Sequence, residues 1–450
     1  MQTIAALATP PLSGALGVIR ISGDRTFELA RTVFTAKNGL PPAQWQPRSL
    51  VMGGVFVDGT LLDEGLAVRF VAPYSYTGED MVELHLHGSI PALRAVLEAL
   101  YKAGAVPAAP GEFTRRAFLY GKMTLSQAEA VADLVTAETR DAARNAAGQL
   151  AGVAGQAFSQ CYDALADLLA NFYATVDYPE EDIEPGKPAE ILQEVLNTLE
   201  TLLATAGKGL LLREGLRCSI LGKPNVGKSS LLNAFVGHER AIVSPLPGTT
   251  RDTLEETVTA GGVKLRITDG AGIRETQDAV ESEGVDRARG AAEDAELLFV
   301  VLDGSEPMDG ADRAVLDFAR DRNCLILINK TDLPQKLERE PLEAAFLHVL
   351  PISAKTGAGL ETVYSTLRRL YEAGDTLYDG SVLTNERQAD AIRRAADAVR
   401  NALKGLREGI TPDAVLAELE RALAAAGELT GRRVREEIIN GIFAKFCVGK

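Results

Sequence analysis

Gly222-Lys223-Pro224-Asn225-Val226-Gly227-Lys228-Ser229 decides the reading of this chain. The run follows the apolar stretch 216–221 and opens into Ser230-Leu231-Leu232-Asn233-Ala234-Phe235, which reads as a helix. Strand, glycine loop and helix in that order are what a phosphate-binding loop requires. Glycines let main-chain N–H groups converge on phosphate oxygens, and the helix N-terminus adds a favourable partial charge. Lys228 would reach the β- and γ-phosphates, and the Ser229 hydroxyl would ligate Mg²⁺. A bare glycine turn before a helix leaves the full eight-residue match unexplained. The sequence therefore predicts a nucleoside triphosphate held by Asn225, Val226, Gly227, Lys228, Ser229 and Ser230.

A second run selects the base. The apolar segment 324–328 ends in Asn329-Lys330-Thr331-Asp332, about a hundred residues after the loop. A carboxylate at Asp332 accepts from both N1–H and the 2-amino group of guanine, whereas adenine would leave it unpaired. Ser353-Ala354-Lys355 follows another apolar run and would close over the base through main-chain N–H groups. Between these lie two segments suited to sensing the γ-phosphate. Gly248-Thr249-Thr250 offers Thr250 as a second Mg²⁺ ligand, and Asp269-Gly270-Ala271-Gly272 ends an alternating strand. Contacts of this kind vanish on hydrolysis, which makes such loops switches. Ile273 follows where many GTPases place a water-orienting glutamine, so catalysis must draw on another residue; the acidic stretch 275–283 supplies candidates.

At 450 residues the chain predicts two or three domains. Its net charge of −15 argues against a general nucleic-acid-coating protein. The four cysteines, at 161, 218, 324 and 447, have no metal-ligand spacing and imply a reducing compartment. The first ten residues lack the charged and apolar regions of a signal peptide, and no apolar run approaches a membrane span, so a cytoplasmic protein is expected.

Residues 1–120 read as α+β, with strands over 18–21, 65–71 and 81–87 and a helix over 90–103. From Thr124 the texture turns Ala-rich and helical; Thr124 with Gln127 has capping-box spacing. Helix is expected to 177, again over 189–212, and from 384 to the end with breaks at Pro412 and Gly431. The expected organisation is multidomain, α+β and α/β: an N-terminal domain (1–120), a helical domain in two parts (121–213 and 375–450), and an inserted Ras-like P-loop GTPase module (214–374). Within the module, segments 254–258 and 263–268 flank a hairpin, giving one antiparallel edge strand on a parallel sheet.

The chain resembles the MnmE (TrmE) family of tRNA-modification GTPases over essentially its whole length. The resemblance rests on Leu16-Gly17-Val18-Ile19-Arg20-Ile21-Ser22-Gly23, Tyr76-Thr77-Gly78-Glu79-Asp80, Pro110-Gly111-Glu112-Phe113-Thr114, the inserted module, and Phe446-Cys447-Val448-Gly449-Lys450. It implies a homodimer formed through an N-terminal domain that binds a tetrahydrofolate derivative, 5-formyl- or 5,10-methylene-tetrahydrofolate. It also implies an FAD-containing partner, MnmG (GidA), in a heterotetramer or larger complex. Together they would build a carboxymethylaminomethyl-type group on C5 of the wobble uridine, U34, of certain tRNAs. G-domain dimerisation with GTP and K⁺ bound would drive hydrolysis.

By position, the resemblance places Arg20, Glu83, Lys122 and Lys450 at the folate. It places the run Ser244, Pro245, Leu246, Pro247, Gly248, Thr249 at the nucleotide, with K⁺ held by Asn225, Ser244, Leu246 and Thr249. A monovalent cation there would neutralise developing charge where other systems use an arginine. Glu281 takes the position that orients the attacking water. Cys447 admits two readings, a nucleophile toward uridine C6 or a small buried hydrophobe. His85 and His87 share one strand face, and the lack of a third ligand favours core or pocket lining over a metal site. The chain departs from the family at Gly270, where threonine is usual and γ-phosphate sensing occurs, and at Ser89, where glycine is more frequent. A rival reading is a regulatory or assembly GTPase acting on ribosome or cofactor maturation; it leaves the N-terminal runs and Cys447 without a task. Arg115-Arg116 and the arginines at 432, 433 and 435 are candidate tRNA contacts, with solvated helix faces as the plainer explanation.

Overall fold

Alternation of apolar and polar residues organises the N-terminal sheet. The computed structural model describes residues 2–177, 187–238, 255–268, 292–371, 378–431 and 449. By contact density the chain divides into two compact units, one of residues 1–132, 150–196 and 394–450, the other of 133–149 and 197–393.

The first unit carries a seven-stranded sheet in the order β3-β4-β5-β6-β2-β1-β7. Its strands are β1 (Ile4–Leu7), β2 (Gly14–Ser22), β3 (Phe34–Ala36), β4 (Val51–Val57), β5 (Thr60–Phe70), β6 (Met81–Gly88) and β7 (Val106–Pro107). All pairings are antiparallel except β1 with β7. Ile19, Ile21, Val82, Leu84 and Leu86 point to one face and pack with α1 (Thr26–Val33) and α2 (Ile90–Lys102). With period-two geometry, Arg20, Glu83 and His85 must then lie on the opposite face. Helix α3 (Glu112–Leu119) follows Gly111, whose φ of 65° turns the chain into it. The Thr124–Gln127 capping box forms as expected and starts α4 (Leu125–Thr136).

The long Ala-rich stretch is not one helix. It breaks after α4, resumes as α5 (Arg140–Leu150), and breaks again at Gly152 (φ 94°) before α6 (Val153–Asp177). Likewise the helix expected over 189–212 divides into α7 (Pro188–Leu203) and α8 (Ala206–Glu214). The reason for the second break is tertiary. Thr205 Oγ1, between α7 and α8, accepts from the Leu383 N–H at 3.1 Å, and the Leu383 carbonyl passes where a Cβ on Gly209 would stand. In the same second unit, Asn145 and Gln149 of α5 donate to the Val382 carbonyl at 3.0 and 2.6 Å.

The second unit also carries a six-stranded sheet, β13-β12-β11-β8-β10-β9. Its strands are β8 (Leu216–Leu221), β9 (Glu255–Ala260), β10 (Val263–Thr268), β11 (Leu297–Asp303), β12 (Cys324–Asn329) and β13 (Val349–Pro351). Only the β9–β10 hairpin is antiparallel, as the sequence predicts. Every residue of β11 is buried, Leu297, Phe299 and Val301 into one core and Leu298, Val300 and Leu302 into another. Burial on both faces is why that strand reads as a continuous apolar run. Helices α9 (Lys228–His238), α10 (Gly310–Ala319), α11 (Glu340–Ala345) and α12 (Leu360–Tyr371) complete the described module.

Candidate functional site

The loop after β8 curls because three of its residues have left-handed φ: Gly222 (149°), Asn225 (64°) and Gly227 (101°). Two of these positions exclude a side chain. A Cβ on Gly222 would run into the Val301 carbonyl, and one on Gly227 into the Asn329 amide. Val226 is buried between them and anchors the loop in the core. Lys228 opens α9, and its ammonium donates back to the Gly222 and Lys223 carbonyls at 2.7 and 2.9 Å. Burial lowers its pKa, so the loop holds a cation it has partly desolvated. Ser229 and Ser230 follow in the first turn of the same helix. Lys223, inside the loop, is held by Asp309, Asp312 and Glu306 at 3.0, 3.1 and 3.4 Å.

The base-side residues meet the loop through one amide. Asn329 is 3% exposed; its Nδ2 donates to the Val226 carbonyl at 2.7 Å, and its Oδ1 accepts from the Ala354 N–H at 2.9 Å. It therefore ties the phosphate loop to the segment Ser353-Ala354-Lys355. Asp332 is exposed at the end of the turn and accepts from Ser353 Oγ at 2.6 Å. That hydrogen bond holds its carboxyl below the usual range. The Thr331 N–H donates to the Ile352 carbonyl at 3.1 Å, and Lys355 is exposed beside them. Asn225 through Ser230, Asn329 through Asp332 and Ser353 through Lys355 are thus assembled at the carboxyl ends of β8, β12 and β13. Ser244, Pro245, Leu246, Pro247, Gly248, Thr249, Thr250, Asp269, Gly270, Ala271, Gly272 and Glu281 lie outside the described residues, as do Cys447 and Lys450.

A second cluster occupies the first unit. Arg20 pairs with Glu83, Nη2 to Oε1 at 2.8 Å, and the two are directly opposite in the β2–β6 ladder. The Arg20 guanidinium lies 5.3 Å from the Tyr76 ring centroid and 5.4 Å from that of Phe113. Its Nη1 donates to the Gly449 carbonyl at 3.4 Å, which places that residue in the same cluster. His85 Nε2 sits 3.3 Å from Glu83. Lys122 donates to the Pro73 carbonyl at 2.9 Å, whereas Arg20 meets Tyr76 farther along that loop. Farther along the same loop, buried Glu79 accepts from Ser22 and Arg116, both at 2.8 Å. His87 departs from the expected lining role: its side chain is 78% exposed and pairs with Asp63 at 2.7 Å. No metal-holding group of His, Cys, Asp or Glu occurs among the described residues. Sequence reasoning did not single out Tyr76, Phe113 or the Glu79–Arg116 pair, although the first three stand inside the runs that carried the family resemblance.

A phosphate loop on a mainly parallel sheet, tied by an asparagine to the base-side segment Ser353-Ala354-Lys355, defines a P-loop GTPase. Residues 3–122 match the GTP-binding protein TrmE N-terminus family, and residues 125–447 match the MnmE helical domain family. The tRNA modification GTPase MnmE of Roseiflexus sp. (strain RS-1) is 41% identical over 460 residues, covering 100% of this chain and 99% of that protein. Its namesake in Roseiflexus castenholzii (strain DSM 13941 / HLO8) is 42% identical over 465 residues, with the same coverage. The G domain of the T. maritima FeoB iron transporter is 25% identical, covers 35% of this chain and 98% of its own, and has a TM-score of 0.27; the fold assignment rests on strand order, not on that likeness. This chain belongs to the MnmE (TrmE) family of tRNA modification GTPases. Among the described residues no helix is long and apolar enough to cross a membrane.

Proposed function

We propose that this chain is a K⁺-dependent GTPase that works with an FAD-containing partner of the MnmG type on the wobble uridine of certain tRNAs, using a one-carbon unit carried by tetrahydrofolate. The observation that carries the folate part is the Arg20–Glu83 pair, flanked by two aromatic rings and touched by the Gly449 carbonyl. These groups suit a folate. A carboxylate accepts from the donor edge of a pterin, the aromatic rings offer stacking faces, and Arg20 or Lys122 can meet the glutamate tail. The bound carrier would supply the one-carbon unit; the chain's part is to orient it. In the other unit, Lys228 and the loop amides hold the triphosphate. Ser229 and Thr250 are the proposed Mg²⁺ ligands, Asn225, Ser244, Leu246 and Thr249 the proposed K⁺ ligands, and Glu281 the proposed water-orienting residue. Cys447 is proposed to act beside the folate.

A domain division at 1–120, 121–213, 214–374 and 375–450 accompanies this reading, with the first segment mediating homodimerisation. Met52 and Leu66 support the latter: they are cross-strand partners and expose 51% and 38% of their surface. The deciding experiment measures 5-formyl-tetrahydrofolate binding to the full chain and to Arg20→Ala. Wild-type binding lost in the variant, with GTP binding retained, supports the assignment; no binding by the wild type refutes it. GTP turnover should rise when K⁺ replaces Na⁺, and equal rates in the two salts would remove the cation from the scheme.

A further inference from the structure

The carboxyl end of β11 holds a buried acid to which the nucleotide site assigns no role. Asp303, 5% exposed, is the last residue of its strand and stands opposite Asn329 in the β11–β12 ladder. Its Oδ2 lies 2.5 Å from Lys330 Nζ. Its Oδ1 accepts from the Ser305 N–H at 2.9 Å and from the Ser305 hydroxyl at 2.6 Å. The next residue continues the connection: the Gly304 N–H donates to the Asn329 carbonyl, and the Gly304 carbonyl accepts from the Lys336 N–H. The turn 303–305 and the loop 329–336 therefore form one hydrogen-bonded piece. Burial opposes ionisation of Asp303, but the hydrogen bonds from Lys330 and Ser305 outweigh it and keep the carboxyl below its ordinary range.

Lys330 itself is held in an unfavourable conformation. Its φ is 65°, a left-handed value that a non-glycine residue keeps only when its surroundings enforce it. Three contacts do so: the ion pair to Asp303, and the bonds to the Lys330 carbonyl from Gln335 Nε2 at 2.9 Å and from the Leu333 N–H at 3.0 Å. A lysine carries a four-carbon apolar stem behind its charge, and that stem covers apolar surface when the ammonium is anchored. Asp332, two residues on, is the carboxylate assigned to the base.

We propose that Asp303 is a positioning residue for the guanine nucleotide, acting through Lys330. By anchoring the ammonium it fixes the stem as a preformed wall beside Asp332, so the purine ring meets an ordered surface instead of a mobile side chain. The wall is indifferent to the 2-amino group, which Asp332 alone reads. The proposal rests on the assignment of Asp332 to the base, and the controls separate the two.

The test uses the full chain and fluorescent GDP and IDP (inosine lacks the 2-amino group), with Asp303→Asn, Lys330→Met and the double variant. Asp303→Asn should weaken both nucleotides by about tenfold, the effect of roughly 1.4 kcal/mol, and leave their ratio unchanged. In the Lys330→Met background the same change should have no further effect. A full tenfold loss in both backgrounds, or a loss confined to GDP, overturns the positioning role. If Asp303→Asn does not fold, Ser305→Ala replaces it in the cycle, with a smaller loss expected in wild type and none beside Lys330→Met; equal losses overturn the proposal. Asp332→Ala should collapse the GDP-to-IDP ratio. An unchanged ratio there refutes the base assignment and the proposal with it, whereas a collapsed ratio without coupling between 303 and 330 refutes the proposal alone.

Discussion

Replacing Asn329 by alanine should separate the two halves of the nucleotide site. The side chain is 3% exposed and makes two hydrogen bonds, donating to the Val226 carbonyl and accepting from the Ala354 N–H. Both partners are main-chain groups in different loops, and Ala354 is itself buried. Alanine cannot reach either group. Each group left without a partner costs about 1–3 kcal/mol, so roughly 3 kcal/mol is a conservative total. Water and nucleotide must then organise loops that the asparagine holds ready. If that cost falls on binding, GDP affinity drops about a hundredfold at 1.4 kcal/mol per tenfold. Asn329→Asp refines the test, because it keeps an acceptor for Ala354 but sets a carboxylate against the Val226 carbonyl. The assay is titration of fluorescent GDP, with a denaturant melt run in parallel. An affinity within threefold of wild type, alongside a lowered unfolding midpoint, would show that Asn329 only stabilises the fold and would refute the argument.

Three further outcomes follow from the geometry. Gly222→Ala meets the Val301 carbonyl at a φ of 149°, so a loss of about 3 kcal/mol in denaturant unfolding and failure to bind GDP are expected; normal binding would mean the loop can shift. Asp332 has a depressed pKa, so its ionised contribution is present above the unfolded value and is lost only as pH falls through the lower folded value. GDP affinity should therefore stay flat, as far as this group is concerned, from pH 8 to about 5, and Ser353→Ala should move the acid limb upward; an unmoved limb removes the Ser353 bond from the explanation. Arg116→Met leaves buried Glu79 without its cation and should cost about 3–5 kcal/mol, while adding Glu79→Gln should recover part of the loss. Fluorescence of Trp45, the chain's single tryptophan and 1% exposed in the same unit, reports that transition; a double variant no more stable than Arg116→Met would contradict the buried-charge account.

Much of the nucleotide module was legible because its signals are local. A phosphate loop needs glycine where φ is left-handed, and Gly222 and Gly227 stand in the sequence where the fold demands them. Fully buried strands announce themselves as apolar runs, as β11 and β12 do. The N-terminal sheet was less legible. β1 is four residues long and β4 contains a Gly-Gly pair, so neither carries a strong period-two signal, and both are defined by their neighbours in the sheet. The boundary between α7 and α8 failed for a related reason. Gly207 and Gly209 weaken the helix locally, but the break at Thr205 also takes the N–H of Leu383, far along the chain.

The sequence by itself determined a guanine-nucleotide module and its place within an α+β and helical chain, since those rest on short-range patterns of glycine, charge and apolar residues. Only the tertiary structure decided that Asn329 joins two loops, that Arg20 lies among Glu83, Tyr76, Phe113 and Gly449, and that Asp303 anchors Lys330. Each of these contacts joins residues remote in sequence. Which side chains meet is set by strand order and register, and no local preference of the chain encodes those.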